Sequence, residues 1–473
     1  MSYNAYIAKL TNLRPHPNAD RLKLGDCFGN TVCVGLDYTE GMIGVYFPTD
    51  GQVSLEFAEV NNLLRKKDEA GNNIGGYMDP NKRNVTAIRL RGEKSDGLFL
   101  NLSCLEYTGV NMDDLDVGMP FTTINGHEIC QKYIPRSNSP KTTGQGGNRT
   151  RKKKVNIAPL FAEHADTEQL AYNLSAFKPG DEIEITLKMH GTSQRTGYLP
   201  VFKGYKRTFW DWLFRREGVP MYEYGYVSGT RRVVLENYEG GFYGDNSFRE
   251  QHSKKFEGKL WKGETVYYEV VGFTDTGAPI MGQCNNKKLN DKEFIKKYGE
   301  TTTFSYGCKF DGVKFANTIT EKVAKELNEN IEKKEKILPQ SDIYVYRMTM
   351  TNPDGEVVEY TPDFMRYRCE MMGVKTVPIM WKDTIPKWTG DIDDSEPLPI
   401  SAGEWIKEKA EEYYDGPDPI GRTHVREGVV VRILNRPKFT AYKHKNFNFK
   451  VLSGIAIETA NTDNMDEDLV AEL

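Results

Sequence analysis

Lys188 ends a run in which apolar and polar residues alternate strictly, EIEITLK at 182–188, and the residues MHGT follow it. As a strand, this run would turn its isoleucines and leucine toward a core and Lys188 toward the opposite face. The amine of a lysine is a nucleophile once it is neutral, and cationic neighbours lower its pKa. A lysine held at a strand end beside a cleft is therefore suited to covalent catalysis. An ordinary exposed strand lysine is the alternative, because it has the same local pattern.

Two glutamates stand in strand-like runs farther along the chain. Glu269 lies within TVYYEVV at 265–271, and Glu427 heads the β-branched run EGVVVR at 427–432. A carboxylate in such surroundings is costly to bury unless it binds a metal, a sugar hydroxyl or a cation. The pattern predicts that Glu427 binds such a group, with a salt-bridged strand-end glutamate as the plainer alternative.

Two lysines, Lys443 and Lys445, are separated by a single residue in TAYKHK at 440–445. On a strand they point to the same face, where like charges repel unless an anion lies between them. They are therefore candidates for binding a phosphate. The alternative is a solvated edge strand on which lysines discourage aggregation.

Together these residues resemble the covalent nucleotidyltransferases, the superfamily of ATP-dependent ligases and capping enzymes. The order of the motifs is kept across most of 155–455: KxxG at Lys188, an arginine segment at 228–232, a glutamate strand at Glu269, an aromatic strand at 344–347, an EG-apolar strand at Glu427 and KxK at 443–445. The form KMHGT is similar to that of RNA ligases, because DNA ligases usually carry Asp where His190 stands.

The resemblance implies a reaction in three steps. Lys188 attacks the α-phosphorus of ATP and releases pyrophosphate, AMP moves to a 5′-phosphate RNA end, and a 3′-hydroxyl displaces AMP to form the phosphodiester. The implied metal is Mg²⁺, with Mn²⁺ as the alternative, and the implied partner is RNA with 3′-OH and 5′-phosphate ends, as a nicked duplex or a single strand. One rival interpretation is a DNA ligase or GTP-using capping enzyme with the same chemistry. A nucleic-acid-binding protein with a degenerate ligase domain is the other.

The same resemblance implies a role for each candidate residue. Glu427 would hold the metal, Glu269 would bind the ribose hydroxyls, and Tyr346 would contact adenine, with Tyr344 the next candidate. The phosphate contacts and catalytic groups beside Lys188 would be Arg231 (or Arg232) at the nucleotide or RNA end, His190 and Thr192 near the α-phosphate and leaving group, and Lys443 and Lys445 on the α-phosphate.

Composition limits the class of protein. The 473 residues carry a formal net charge of −4, and at roughly 100–200 residues per domain they predict two or three domains. Seven scattered cysteines without a CxxC pair predict reduced thiols in a cytoplasmic protein. We find no apolar run of about 18 residues and therefore expect no membrane span. Because the chain is slightly acidic, any polynucleotide must be bound by local basic patches.

The predicted fold class is α+β, with an N-terminal OB-like β-barrel before a nucleotidyltransferase (ATP-grasp-like) domain of antiparallel sheets with flanking helices. Short β-branched runs between Gly, Asp and Asn turns indicate the barrel. The segments RPHPNADRL at 14–22, GVYF at 44–47 and RLRG at 89–92, which leads to DGL at 96–98, resemble an OB-like module that precedes the ligase domain in one RNA ligase branch. The predicted divisions are the module at 1–130, a basic Ser/Gly/Lys-rich linker at 131–154, the adenylyltransferase domain at 155–458 and an acidic tail at 459–473. We expect a monomer.

One insertion has two interpretations. Residues 203–216, KGYKRTFWDWLFRR, mix basic and aromatic side chains as single-strand binders do. The pairs Phe209/Leu213 and Trp210/Phe214 are also spaced i, i+4, as in an amphipathic helix that packs on its domain. We expect the packing helix.

Overall fold

The computed structural model describes residues 3–49, 51–67, 73–76, 78–133, 155–164, 167–214, 218–231, 233–235, 238, 246–275, 277–308, 340–386, 401–453 and 456–458. The predicted linker lies outside the described residues from position 134 onward, and the predicted acidic tail at 459–473 lies outside them entirely. The chain divides into two compact units, one formed within 1–143, 285–300 and 447–473 and the other within 144–284 and 301–446.

The described part of the chain is rich in short strands that are mostly antiparallel. In chain order they are β1 (Ala5–Lys9), β2 (Thr11–Pro15), β3 (Leu22–Cys27), β4 (Asn30–Gly35), β5 (Ile43–Phe47), β6 (Gly51–Val53), β7 (Arg65–Lys67), β8 (Asn73–Gly75), β9 (Ala87–Leu90), β10 (Glu93–Ser95), β11 (Leu98–Asn101), β12 (Pro120–Phe121), β13 (Thr123–Ile124), β14 (His127–Glu128), β15 (Cys130–Lys132), β16 (Glu168–Gln169), β17 (Glu182–Leu187), β18 (Thr192–Lys206), β19 (Val219–Gly229), β20 (Glu264–Gly272), β21 (Cys284–Asn285), β22 (Thr301–Thr302), β23 (Ser341–Thr351), β24 (Val357–Glu359), β25 (Lys375–Thr376), β26 (Ile379–Thr384), β27 (Gly428–Ile433), β28 (Thr440–Lys445) and β29 (Ala456–Glu458).

Helices flank these sheets. The α-helices are α1 (Leu55–Val60), α2 (Phe209–Leu213), α3 (Ser247–Lys254), α4 (Lys292–Tyr298), α5 (Pro362–Met372), α6 (Ala402–Tyr414) and α7 (Phe447–Leu452), and 3-10 turns lie at Leu102–Thr108, Met112–Asp114, Leu170–Tyr172, Leu174–Ala176 and Asn286–Leu289. Local sequence sets several of their ends. The capping box of Ser401 and Glu404 begins α6, since each side chain satisfies a backbone N–H of the first turn. Gly373, in the left-handed conformation, ends α5.

The first unit contains an antiparallel sheet in the order β11-β5-β1-β12 and the antiparallel meander β2-β3-β4. Its core includes Ile7, Val45 and Leu100 from that sheet and Phe57 from α1. Strand β29 pairs with β9 in parallel, so the C-terminal end of the described chain belongs to this unit. The short β-branched runs predicted for this part of the chain form strands, such as β4 and the GVYF segment in β5.

The second unit contains two sheets. One has the order β16-β28-β27-β17-β26, and the other runs β19-β18-β20-β23-β24 with β25 beside β23. Within the first of these, Ile183 and Ile185 of β17 pack with Val429 and Val431 of β27 and with Ile406 of α6. The predicted alternation of β17 is therefore confirmed, because its apolar face forms this core and leaves the Lys188 side on the other face.

Strands β18 and β19 form a long hairpin whose tip carries α2. The rings of Phe209, Trp210 and Phe214 at this tip are 67%, 62% and 60% exposed, and Leu213 is 49% exposed. The expectation that this segment packs on the domain is therefore wrong. The i, i+4 spacing does bring Trp210 and Phe214 together, with ring centroids 6.1 Å apart, but the pair packs on itself at the surface.

All seven cysteine thiols are free and buried. This agrees with the predicted reduced thiols. Among the helices that the structure describes, we find none long and apolar enough to cross a membrane.

Candidate active site

Lys188 directly follows β17, and its backbone N–H donates to the carbonyl of Gly428 at 3.0 Å. This bond continues the register in which Thr186 pairs with Val430. Gly428 has φ of +145°, and a Cβ there would lie 2.1 Å from the carbonyl oxygen of His444. Only glycine therefore lets β27 begin this close to β28 and next to Lys188.

The Glu427 carboxylate is surrounded by two lysines and a histidine. Its Oε1 is 2.6 Å from Lys188 Nζ and 3.6 Å from Lys445 Nζ, and its Oε2 is 3.2 Å from His190 Nδ1. The side chain is only 4% exposed. Burial alone would raise the pKa of Glu427, but the charge of Lys188, the hydrogen bond from His190 and the charge of Lys445 hold it well below its usual value. Glu427 is therefore a carboxylate anion at neutral pH.

Tyr306 and Phe304 hold His190 in place. Its backbone N–H donates to the hydroxyl of Tyr306 at 2.6 Å, and the edge of its ring meets Phe304 at a centroid distance of 4.6 Å. The ring of His424 in turn packs 4.5 Å from Tyr306 and 5.1 Å from Phe304. Burial raises the pKa of Tyr306 well above its usual value, so its hydroxyl stays neutral and remains able to accept this bond.

The turn after His190 passes very close to β20. A Cβ on Gly191 would lie 2.4 Å from the carbonyl oxygen of Val270 and 2.9 Å from Cγ of Glu269. The glycine of the KMHGT segment is therefore required by close backbone approach. The approach also brings the start of β18 alongside Glu269, because Ser193 pairs directly with it.

Arg249 of α3 fixes the first residues of β18. Its guanidinium donates to Thr192 Oγ1 at 2.5 Å, to the Ser193 carbonyl at 3.3 Å and to Gln194 Oε1 at 3.3 Å. The rigid fork of donors on a guanidinium suits three acceptors held at fixed positions. Arg249 is almost fully buried, and it positions the Thr192 hydroxyl beside Lys188.

These elements enclose a cavity of about 460 Å³, within the range of 300–1,000 Å³ typical of small-molecule sites. Glu269 forms part of its wall. Burial raises the pKa of Glu269 to about 7, Lys188 opposes this effect and Glu427 adds to it. The residues that line the cavity are His164, Thr167, Glu184, Thr186, Leu187, Lys188, Met189, Gly191, Thr192, Ser193, Thr230, Arg231, Arg249, Glu269, Tyr346, Met365, Val377, Val430, Arg432, Phe439 and Ala441.

A β-bulge in β23 determines where Tyr346 points. Tyr267 of β20 pairs with Arg347, whereas the next residue, Tyr268, pairs with Val345, so Tyr346 is the extra residue. Regular alternation would send Tyr346 and Arg347 to opposite faces, but a bulge lets neighbouring residues oppose one partner. The imidazole of His164 is accordingly close to both, 5.0 Å from the Tyr346 ring and 3.4 Å from Arg347 Nη1.

The wall around Tyr346 is aromatic and tightly held. The Tyr346 hydroxyl is 2.9 Å from Ser193 Oγ, and Phe439 lies 5.9 Å from the His164 ring. The guanidinium of Arg432 lies 4.9 Å from the Phe439 ring centroid. Flat apolar rings with a few polar groups at their edges suit a planar heterocycle such as a nucleobase.

The architecture matches solved RNA ligase structures. A ligand-free mutant of Naegleria gruberi RNA ligase has a TM-score of 0.51 and 16% sequence identity, with 95% of this chain and 98% of that chain covered. A mutant of the same ligase with AMP and Mn has a TM-score of 0.51 and 16% identity, covering 98% and 99%, and the ligase with PPi has 0.50 and 16%, covering 94% and 97%. The chain has the nucleotidyltransferase-type fold of these RNA ligases. No protein-family model matches the chain, and no curated protein matches its sequence.

The structure brings most of the predicted site residues together. The same cavity is lined by Lys188, Thr192, Arg231, Glu269 and Tyr346. His190, Glu427 and Lys445 join them through the Glu427 carboxylate. Lys443 is buried on the strand face of Lys445 and pairs with the cavity-lining Val430.

Of the two alternative residues, the structure describes Tyr344. Tyr344 is buried and pairs with Glu269 across the strands, but it is not among the lining residues that the structure describes. Arg232 lies outside the described residues. The first choices, Tyr346 and Arg231, both line the cavity.

Sequence patterns did not identify three residues of the site. Arg249 lies on a short helix far along the chain from Thr192, and no local pattern marks it. His164 and Arg432 also line the cavity. Of these three residues, only Arg432 could have been predicted from the sequence. Strand alternation along β27 puts it on the same face as Val430.

Proposed function

We propose that this chain is an ATP-dependent RNA ligase that joins 3′-OH and 5′-phosphate ends through a lysyl-AMP and an RNA-adenylate intermediate. The observation that carries the proposal is the placement of Lys188. It lines a nucleotide-sized cavity and forms an ion pair with the buried Glu427. The similar RNA ligase structures, solved with AMP and Mn or with PPi, support adenylyl transfer as the reaction.

The cavity wall supports a nucleotide in one orientation. We assign adenine to the aromatic wall at Tyr346 and the ribose hydroxyls to Glu269, whose carboxyl oxygens accept hydrogen bonds in either protonation state. The phosphates then face the cationic side of the site. Lys443, Lys445 and Arg231 supply charge there, and the Thr192 hydroxyl is held near Lys188 by Arg249.

The donor atoms of the site fit a hard divalent cation bound together with phosphate. Glu427 offers an anionic carboxylate at neutral pH, and Mg²⁺ is commonly held by one or two carboxylates with substrate phosphates and water. Within the described part of the chain there is no group of three or more His, Cys, Asp or Glu that could hold a metal, so phosphate oxygens and water must complete the shell. Glu427 would hold Mg²⁺ or Mn²⁺, which supplies charge neutralisation for the phosphates when bound.

The proposed first step makes one bond and breaks one. Lys188 loses a proton to solvent, because the depressed pKa of Glu427 makes that carboxylate a poor base. The Nζ electron pair then forms a bond to the α-phosphorus, and the bond from that phosphorus to the bridging oxygen breaks as pyrophosphate leaves with the electron pair. The nitrogen gives a second proton to solvent, which leaves one N–H on the lysyl-AMP. Positioning and charge neutralisation dominate such in-line transfer, and Lys443, Lys445 and His190 are placed for both.

Two further transfers use the same site. An oxygen of the RNA 5′-phosphate attacks the phosphorus of lysyl-AMP, the Lys188 nitrogen takes a proton from solvent, and the P–N bond breaks so that Lys188 leaves as the amine. A 3′-hydroxyl oxygen then attacks the 5′-phosphorus of the RNA-adenylate, forms the phosphodiester, loses its proton to solvent and releases AMP. We propose a nicked duplex or single-stranded RNA as the substrate and a monomer as the acting form.

The rest of the chain is assigned by the same proposal. The short strands within 1–130 support an OB-like module, followed by the basic linker at 131–154, whose first residues belong to β15. The proposed adenylyltransferase domain at 155–458 includes two stretches, 285–300 and 447–458, that fall within the first compact unit, and the acidic tail follows at 459–473. Seven free, buried thiols support a reducing, cytoplasmic location, because such thiols persist where disulfides are kept reduced.

Intact mass spectrometry after incubation with ATP and Mg²⁺ tests the function. The wild type should gain the mass of one AMP, and Lys188→Ala should gain none. Lys188→Arg should also gain none, because it keeps the charge but not the nucleophilic amine. Lys375→Ala removes an exposed strand lysine paired with Asp342 and should leave the adduct unchanged.

Two outcomes of this experiment and one further measurement test the proposal against its alternatives. An unmodified wild type with ATP, GTP and NAD would overturn it. An adduct with GTP alone would favour capping-type chemistry. Ligation of nicked duplexes whose broken strand is RNA or DNA then separates an RNA ligase from a DNA ligase.

A further inference from the structure

The hairpin formed by β18 and β19 extends beyond its own sheet. Strand β18 pairs with β20 only over Thr192–Gly197, whereas its pairing with β19 continues to Lys206. Among the described residues, no third strand of the sheet pairs with the part of the hairpin beyond Pro200, which is roughly 20 Å long at the usual rise per residue. Its base is supported by the segment before the sheet, since the Phe202 N–H donates to the Ile157 carbonyl at 2.8 Å. Two-stranded ribbons have little intrinsic stability. A long ribbon that ends in a helix therefore suggests that the residues at its tip have a function.

The tip of this ribbon presents exposed aromatic rings in a fixed arrangement. Trp210 and Phe214 stack with an interplanar angle of 15°, and Phe209 meets Trp210 edge-on at 5.8 Å. The helix start is held by Thr208 and Asp211, since the Thr208 hydroxyl donates to Asp211 Oδ2 at 2.7 Å and accepts from the Asp211 N–H at 3.2 Å. Large exposed rings are costly to leave in water, and this tip holds them ready for a planar partner.

One face of the ribbon continues this aromatic surface toward the sheet. Phe202 and Tyr222 are cross-strand partners, as are Tyr198 and Tyr226. Their rings lie 5.9 Å and 4.7 Å apart, and all four are only partly buried. Alternation puts these residues on one face. Phe202 and Tyr222 therefore add aromatic rings to the ribbon between the tip and the sheet, where Tyr198 and Tyr226 pack on the core.

Exposed basic residues lie on the same hairpin. Lys203, Lys206 and Arg207 are exposed on the hairpin, and the segment 203–216 holds five basic residues against one acidic residue in a chain whose net charge is −4. Aromatic faces combined with cationic side chains bind single-stranded nucleic acid, because bases stack on the rings while the cations follow the backbone.

We propose that the β18–β19 hairpin binds a single-stranded segment of the RNA substrate, with bases stacked on Trp210 and Phe214 and phosphates on Lys203, Lys206 and Arg207. This inference rests on the proposed function for the identity of the nucleic acid. It adds a substrate contact outside the cavity. Stacking tolerates any base, so the contact selects unpaired RNA without selecting its sequence.

Fluorescence anisotropy with the full-length protein tests the inference. The probe is a single-stranded 20-nucleotide RNA with a 5′-phosphate and a 3′-terminal dye that prevents joining, in the absence of ATP. The double variant Trp210→Ala/Phe214→Ala should bind about 10-fold or more weakly, as loss of base stacking predicts. Trp210→Phe keeps an aromatic face and should bind within about threefold of the wild type. Tyr367→Ala removes an equally exposed ring on α5 and should leave the affinity unchanged.

A second measurement isolates the charges. The affinity of the triple variant Lys203→Gln/Lys206→Gln/Arg207→Gln should fall less steeply with salt than that of the wild type, because each phosphate contact on a single strand contributes about 0.7 to the slope of log affinity against log salt. An unchanged slope together with an unchanged affinity of the aromatic variant would overturn the inference.

Two controls distinguish RNA binding by the hairpin from the proposed ligase function and from membrane binding. The hairpin variants should still gain the AMP mass from ATP, which shows that they are folded. If the wild type gains no AMP while the hairpin variants lose RNA affinity, the proposed function fails and RNA binding by the hairpin stands. If the aromatic variant loses sedimentation with phosphatidylserine vesicles but keeps its RNA affinity, the tip binds a membrane surface and the inference is wrong.

Discussion

The Lys188 ammonium lies 2.6 Å from the Glu427 carboxylate, so the proposed nucleophile is ion-paired with the residue assigned to the metal. In this ion pair the Nζ hydrogens are directed to the carboxylate, so the nitrogen presents no electron pair to a phosphorus atom. The pair therefore has to open before Lys188 can attack. Binding of Mg²⁺ and phosphate at Glu427 is a physical reason for it to open at the correct moment.

This relationship makes Glu427→Gln a direct test. The amide keeps the shape but loses the charge that, in the proposed function, would bind the metal, so we expect formation of lysyl-AMP to slow by at least about 10- to 100-fold. The measurement is the rate of adduct formation at increasing Mg²⁺ concentration, where the variant should need more metal.

Glu300→Gln is the matched control for that experiment, because it removes a carboxylate from an exposed ion pair with Lys287. Exposed pairs contribute little, so the control should behave as the wild type. A Glu427→Gln protein with the wild-type rate and metal dependence would show that Glu427 serves only to neutralise its neighbours.

The pKa of Glu269 predicts a pH dependence of stability. Folding raises this pKa from 4.5 to about 7, so the folded chain holds the proton more tightly than the unfolded chain. The contribution of Glu269 to stability is therefore fully present below about pH 4.5 and is lost as the pH rises through about 7.

The variant Glu269→Gln cannot titrate, so it isolates this effect. We expect the wild type to lose up to about 3 kcal/mol of unfolding free energy relative to the variant between pH 5 and 8. Urea unfolding at several pH values gives the difference. A difference that stays constant over this range, or that changes in favour of the wild type, would mean that Glu269 is already ionised at pH 5.

Sequence alone predicted the parts of this site that depend on local periodicity. The alternation of β17 placed Lys188 on the correct face, and the spacing of Lys443 and Lys445 placed both on one strand face. Periodicity does not reveal where regular structure breaks. The bulge that turns Tyr346 to the side of Arg347 depends on pairing with β20, which no pattern within β23 encodes.

Local patterns also do not show which distant segments pack together. This explains why Arg249 was missed and why the segment at 209–214 was wrongly expected to pack on its domain. Arg249 meets Thr192 only because α3 packs beside β18, a long-range contact without a local signal. The spacing of Trp210 and Phe214 indicated an apolar helix face correctly. It did not indicate whether the protein itself covers that face, and these rings are exposed.

Tyr306→Phe tests whether the backbone of His190 needs its buried acceptor. Losing the hydroxyl leaves the His190 N–H without this partner, which costs roughly 1–3 kcal/mol of stability and frees the KMHGT turn to shift. We expect slower adenylation with little change in ATP affinity, measured as separate kcat and KM effects.

Tyr360→Phe is the matched control, since it removes a buried hydroxyl that donates to Glu264 at 3.0 Å and belongs to the network of Arg368. The control should lose stability by a similar amount and keep the adenylation rate of the wild type. Equal rates in both variants would show that the Tyr306 bond contributes only to folding.

Arg249→Lys tests the guanidinium that holds the start of β18. A lysine keeps the charge but cannot span Thr192 Oγ1, the Ser193 carbonyl and Gln194 Oε1 together. We expect ATP binding, measured by calorimetry, to weaken by about 10-fold, equivalent to roughly one lost charge-assisted hydrogen bond. Arg436→Lys, at a carboxylate pair with Asp181, is the control and should bind ATP normally. Normal ATP binding by Arg249→Lys would mean that Thr192 needs no such support.

Gly191→Ala tests the close approach that joins the KMHGT turn to β20. The new methyl group would lie 2.4 Å from the Val270 carbonyl oxygen, and because that contact is with backbone the turn itself must move. We expect a loss of about 1–3 kcal/mol in stability, as for other overpacked sites, together with loss of the AMP adduct because Lys188 and His190 flank the turn. Gly282→Ala adds a methyl group where nothing lies within 4 Å, and it should leave thermal unfolding and adduct formation unchanged. If Gly191→Ala is adenylated at the wild-type rate, the turn can move without displacing Lys188, and its glycine is not needed for the geometry of the nucleophile.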